Sequence, residues 1–372
     1  MHFELERTGS AQAFETVLKT MYSRNEVKGI IVFACDKNGF KPENLDHILK
    51  DCPVPIAGGI FPGIVHQKET LETGTLVIGL SHKPDLSIIR EMSNPDTDFM
   101  QSLRDVFNID NIPDTIFVLT DGFSSRISSF INAMFVNIGL ERNIVGGGAG
   151  SLSLEKRPCI ITNEGLLEDA SIVALLDTKS TVNISHGWHP IKGPFKVTEA
   201  DRNVIKSINW MPAFNTYREV IREHSGQYIT PDNFSRIAMS YPFGISRMCC
   251  DPIVRDPVMV DETGALTCVG EIVEGAFVNI LHGNPESLIY ASSKLPTCTA
   301  GFSLGDNSVG LIIDCISRAL FLKDRFKHEL DAIHLPDIPL LGFLSFGEIA
   351  TQEKQFLEFH NKTTVLSILE EL

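Results

Sequence analysis

Two stretches far apart in the chain follow one order, and that order narrows the folds open to it. Near the start, GIIVFACDKNG is followed by a helix-like segment and then PIAGGIFPGIV. Near the end, VGLIIDCISRA is followed by a helix-like segment and then IPLLGFLSFGEIA. Each runs buried strand, cysteine, helix, proline-led apolar strand, glycine turn. Two such copies point to an internal structural repeat packed about a pseudo-twofold axis, with a site between or within the copies. The plainer alternative is that strand–helix–strand units resemble one another anyway.

The same alternation fills the rest of the chain and gives the fold class: α/β, with mixed sheets of α+β character. Helical spacing is expected over 11–24, 42–50, 97–107, 125–138 and 213–222. Strands are expected over 29–34, 75–80, 86–90, 114–119, 171–176, 237–239, 258–260, 266–269 and 276–281. GGIFPG and Gly146–Gly150 read as glycine turns at strand ends. Residues 178–202 carry few helix signals and read as a connector to a second half, and a polar stretch over 299–306 precedes the final unit.

A chain of 372 residues has room for two or three domains or one duplicated unit. Its net charge of -15 disfavours nucleic acid and anionic membrane surfaces. No apolar run reaches ~18 residues, so no transmembrane helix is expected. The first ten residues are polar, so no signal peptide is expected. None of the eight cysteines form a CxxC pair. Reduced thiols, a cytoplasmic location and no structural zinc are the expectations.

The strand ends carry the candidate chemistry. Arg318 lies one helical turn past Cys315, Glu348 follows Gly347, and Asn361 sits in a polar HNKTT cluster. Arg318 is placed to clamp a ligand carboxylate, Glu348 to receive an amine, and Asn361 to hydrogen-bond the same ligand. The structural alternatives are that Arg318 pairs with Glu348 or Asp314, that Glu348 caps backbone N–H groups, and that Asn361 is a turn residue. Cys315 is expected to be a small buried apolar group, because no paired base is evident for a nucleophile. A cysteine-dependent enzyme is therefore the rival to a binding protein, and a pure scaffold the third class. Gly146–Gly150 invites a phosphate-loop reading, yet lacks the Gly-Lys-Ser/Thr ending and the G-x-G-x-x-G frame. Asp251 and Arg255 are expected to form a local ion pair or turn lock.

His186 and His189 flank Gly187-Trp188, where an imidazole beside a flat apolar wall suits haem b. Exposed loop histidines, with Trp188 in the core, are the alternative. Cys52-Pro53 is a further, weaker haem signal, since proline also simply ends a helix.

Taken in order, PIAGGIFPGIV, TDGFSS, IVGGGAGS, the Pro-x-x-Gly-Pro linker, YPFGIS, DPIVRDPVMVD, DCISRALFL, GFLSFGEIA and HNKTTV resemble the FIST family. The resemblance implies a FIST N domain over 25–200 and a FIST C domain over 201–370. It implies a ligand-sensing module that signals through a separate partner, a histidine kinase or a diguanylate cyclase or phosphodiesterase. Stand-alone bacterial members of this size include haem-binding nitric-oxide sensors, so the ligand is haem with nitric oxide as signal, or an amino-acid-like metabolite. No catalytic turnover is expected, and no appended F-box. The N-terminal glycine turn, Phe61-Pro62-Gly63-Ile64, lacks the glutamate that the C-terminal copy keeps as Gly347-Glu348.

Overall fold

A computed structural model describes residues 2–107, 112–139, 141–247, 251–296, 307–352 and 356–370. The repeat is present, and it has three copies rather than two. In the first, strand Gly29–Cys35 leads through helix Pro42–Lys50 to the parallel strand Ile56–Phe61, and Thr75–Leu80 returns antiparallel to Gly29–Cys35. In the second, Thr115–Asp121, helix Ile127–Ile138, Asn143–Ala149 and Ser171–Leu176 repeat that order. The third runs Val309–Cys315, helices Ile316–Leu322 and Phe326–Ile333, Leu340–Ser345 and Thr364–Leu369.

Each unit sends a small hairpin into a neighbouring unit's sheet. Ile64–His66 pairs with Leu340–Ser345, Ile160–Thr162 with Ile56–Phe61, and Glu348–Gln352 with Asn143–Ala149. Each unit also gains an edge strand: His2–Glu6 on the first, Asp85–Ile89 on the second, Ser180–Ser185 on the third. One backbone bond recurs at the end of each first strand. The N–H of Cys35 donates to Gly74 O, that of Asp121 to Ala170 O, and that of Cys315 to Thr363 O. The three sheets enclose a core in which Phe61 stacks on Phe343, Phe33 packs against both at an angle, and Phe117 closes the group.

The expected glycine turns lie mostly inside strands: Gly58–Phe61 and Gly146–Ala149 are strand residues, whereas Pro62-Gly63 turns into Ile64–His66 and Gly150 follows its strand. Gly58, Gly146 and Gly342 oppose Val32, Val118 and Ile312 in the parallel pairs. A Cβ on them would come within 2.4, 1.7 and 1.8 Å of the opposing carbonyl oxygens. Glycine is there because the two backbones approach too closely for any side chain. A phosphate-loop reading of Gly146–Gly150 therefore has no loop to rest on.

Between the second and third units the chain builds a separate barrel. Its strands run in the order His189–Asp201, Phe277–His282, Phe243–Ile245, Ile253–Val260, Leu266–Val269, Val204–Ile208 and Met211–Pro212. Val204–Ile208 pairs back to His189–Asp201 and closes it. Helix Ala213–Ser225 fills the barrel with Phe214, Tyr217, Val220 and Ile221. The expected connector over 178–202 is thus two strands, and the expected strand over 237–239 is instead the end of helix Phe234–Ala238 and the residue beyond it. A boundary between 200 and 201 falls at the end of a barrel strand, with barrel on both sides. The polar stretch over 299–306 lies outside the described residues. Trp188, Val254 and Leu281 share a core with Ile312, Leu340 and Leu366, which seats the barrel on the third unit. Among the described residues no helix is long and apolar enough to cross a membrane.

Candidate functional site

The third unit departs from its sisters where their registers coincide. In the parallel pairs Phe33 opposes Gly59, Leu119 opposes Gly147 and Ile313 opposes Phe343. The inserted hairpins place Ile160 opposite Gly59, Ile64 opposite Phe343, and Glu348 opposite Gly147. A fully buried glutamate therefore stands where the other two units carry isoleucine. Ser345 Oγ donates to Glu348 Oε1 at 2.7 Å, and Oε2 has no hydrogen-bond partner. Burial pushes this carboxyl up to about 8, against the opposing pull of the Ser345 hydroxyl, the Cys315 thiol and the Thr363 N–H. It is mostly protonated at neutral pH, a donor rather than an anion.

Cys315 lies beside it, and burial raises its thiol far above the usual range, with the Glu348 charge adding to the effect. A thiol held protonated in this way is no nucleophile. His360, paired with Glu348 across the hairpin, is buried and held neutral, its pKa pushed down to about 3 by burial and then by Arg255 and Arg247. Its Nε2 has no partner, nor does either side-chain atom of Asn361, which is 1% exposed.

Arg318 does not join this group as a ligand clamp. It is fully buried and occupied. It donates to His186 O at 2.5 Å and to Ser292 Oγ at 3.1 Å, and pairs with Glu329 and, at 3.4 Å, with Asp314. The Asp314 pairing was the structural alternative; Glu329 was not anticipated. Its signal was there, since Phe326, Leu330 and Ile333 mark an apolar helix face on which Glu329 also lies. The expected pocket of Arg318, Glu348 and Asn361 thus lacks its cation.

The expected haem residues do not fit a porphyrin. Trp188 is 1% exposed, packs against Phe321 and donates Nε1–H to Lys362 O at 3.0 Å. It is a core residue and offers no free face. His186 is buried, its Nδ1 accepts from Trp188 N–H at 3.0 Å, and burial lowers its pKa to about 4. His189 is exposed at the start of a barrel strand, across the sheet from His282. Cys52 is buried with its thiol directed at Val54 O.

A cleft of about 660 Å³ lies between the barrel and the three-unit body. The body contributes the Gly122–Ser125 loop, Ile127 and Ser128, Ile316, Ser317 and Leu320 on the third unit's helix, and Phe346 and Phe359. The barrel contributes Arg202, Asn203, Val258 and the run Thr267–Glu271. The lining is mainly apolar, with scattered hydroxyls and the charged Arg202 and Glu271, the usual character of a small-molecule site. It also sits at the carboxyl ends of the second and third units' parallel strands, where open α/β sheets bind ligands. The marked stretches TDGFSS, DCISRALFL and GFLSFGEIA supply much of the body wall, and DPIVRDPVMVD supplies Val258 of the barrel wall.

The FIST N domain model matches residues 28–211, and the FIST C domain model matches 213–351. No curated protein matches the chain.

Proposed function

We propose, from the premise that this chain belongs to the FIST family, that it senses a small molecule held in the cleft between barrel and body. FIST domains are signal-transduction sensor domains that bind small ligands. The observation that carries the reading is that both bodies line one cavity of ligand size. A ligand touching both favours one seating of the barrel over others, which is the differential affinity a sensor requires. The output passes to a separate signalling enzyme, of which a histidine kinase and a cyclic-di-GMP cyclase or phosphodiesterase are the family's candidates. Turnover is not part of the proposal, since burial holds the Cys315 thiol protonated. A small metabolite suits the lining better than haem, whose first expected ligand, His186, and expected wall, Trp188, are built into the core.

The test is a thermal-shift screen of small metabolites against the wild type, Ser128→Trp and Thr267→Trp, which fill the cleft from opposite walls. A ligand at ~100 times its Kd should stabilise the wild type by about 2.7 kcal/mol and leave both variants unshifted. A ligand that stabilises all three proteins equally binds elsewhere and overturns the reading.

A further inference from the structure

Between strands Asn143–Ala149 and Ile160–Thr162 the chain runs along the rim of the cleft, where Leu152 and Leu154 line the cavity. This stretch is pinned near both ends to one carboxylate. Ser151 Oγ donates to Asp36 Oδ2 at 2.7 Å, and Arg157 pairs with Asp36 Oδ1. Between the pins the backbone bonds are internal to the stretch: Leu154 N–H donates to Ser151 O, Ser153 N–H to Ser151 Oγ and Glu155 N–H to Ser153 Oγ. Leu154 has φ +59° and is 67% exposed; Leu152 is 47% exposed. A bulky residue adopts that left-handed conformation rarely and at a cost, and such strain gathers at clamps and switches. Two leucines thus stand out in water beside an apolar cavity, one of them on strained backbone.

The barrel rim carries a complementary charge. Arg202 lines the same cavity from the turn between His189–Asp201 and Val204–Ile208, and it is exposed. Among the described residues it has no ion-pair partner, and neither has Glu155, the exposed neighbour of Leu154. The other charges nearby act elsewhere. Glu271 lines the cavity without pairing to Arg202, and its charge acts on Arg255 behind the wall. Arg255 is buried and donates to Glu271 O, Val254 O and Phe359 O, and the expected pairing with Asp251 is not made. Lys156 acts on Asp121 and Asp169 of the body.

We infer that residues 152–156 are a strap that closes over a molecule in the cleft, with Leu152 and Leu154 turning into the cavity and Glu155 pairing with Arg202. Closure joins body to barrel across the mouth, so an occupied cleft holds the barrel in one seating. This rests on the cleft being the ligand site and adds the element that retains the ligand there.

The probe is N-phenyl-1-naphthylamine, a neutral apolar dye that brightens on leaving water, so charge changes at the rim reach it only through the strap. Its entry and release are followed by stopped-flow fluorescence on the full chain, with thermal unfolding as the check that each variant is folded. A strap that closes after entry slows release and leaves entry nearly untouched. Leu152→Ser with Leu154→Ser should raise the release rate ~10-fold or more, since closure then buries no leucine. Glu155→Arg and Arg202→Glu should each raise it ~3–5-fold, the scale of an exposed ion pair. The two exchanges together should restore release to within ~2-fold of the wild type, a rescue that loss of local structure would not give. Ser128→Trp should abolish the fluorescence gain. Unchanged release in the leucine double variant, or no rescue by the exchanged pair, overturns the strap while the cleft stands, provided Ser128→Trp blocks the dye. A dye that does not bind, or that binds Ser128→Trp as well as the wild type, overturns the cleft as the ligand site and the strap with it.

Discussion

The first and third units have the same strand order, the same crossover and the same backbone bond at the end of their first strand. They differ in what they bury. Three residues past Cys35 the first unit has Asn38, whose amide ties back to Gly74 N–H and O and to Thr75 Oγ1. Three residues past Cys315 the third unit has Arg318, which also ties back to the turn before its closing strand, through Lys362 O, but brings Glu329 and Asp314 into the core with it. Where the first unit's hairpin carries Ile64, the third carries Glu348. The topology is satisfied by neutral and apolar residues. The charges of the third unit are additions to it, and they lie on the side where the barrel and the cleft are.

The largest expected break in that comparison comes from the arginine. Arg318→Met leaves two carboxylates buried without their cation and should cost ~3–5 kcal/mol in denaturant unfolding. Asn38→Ala, at the equivalent place, should cost only ~1–2 kcal/mol, as for lost neutral hydrogen bonds. Equal losses would mean that Arg318 is no more than a turn tie.

The glycines should behave alike instead, because they serve the shared architecture. Gly146→Ala and Gly342→Ala drive a methyl into a carbonyl oxygen and should each cost ~2–4 kcal/mol. Gly58→Ala, with more room at 2.4 Å, should cost less than either. A unit that accepts alanine freely would not share the close strand contact.

What the sequence disclosed follows the same division. The first and third copies were legible because both have an apolar strand, a cysteine and a proline-led return. The second escaped notice because Asp121 replaces the cysteine and Asn143 begins its return strand without a proline. GGIFPG and Gly146–Gly150 read as turns because glycine more often marks turns than paired strands; only the facing carbonyls explain them. Glu348 and Asn361 were singled out and do lie in the buried polar region. Arg318 was singled out too, but its partner Glu329 hid in an ordinary amphipathic helix. Arg255 and Gly270 come together through the register of the adjacent strands Ile253–Val260 and Leu266–Val269, where Asp256 faces Val269.

Glu348→Ile installs the residue its two sister units use, and its unfolding free energy across pH is the most direct measure of whether the third unit is specialised. The Glu348 carboxyl is raised in the folded protein, from 4.5 to about 8. A raised acid contributes fully below the unfolded value and loses that contribution as pH climbs to the folded one. The wild type should therefore match the variant most nearly below pH 4.5 and fall behind it steadily up to about pH 8. At neutral pH Glu348→Ile should be ~1–3 kcal/mol more stable, the cost of an incompletely bonded buried polar group. A variant less stable than the wild type by an amount that does not change with pH would contradict this, and would make Glu348 a structural residue of an ordinary repeat.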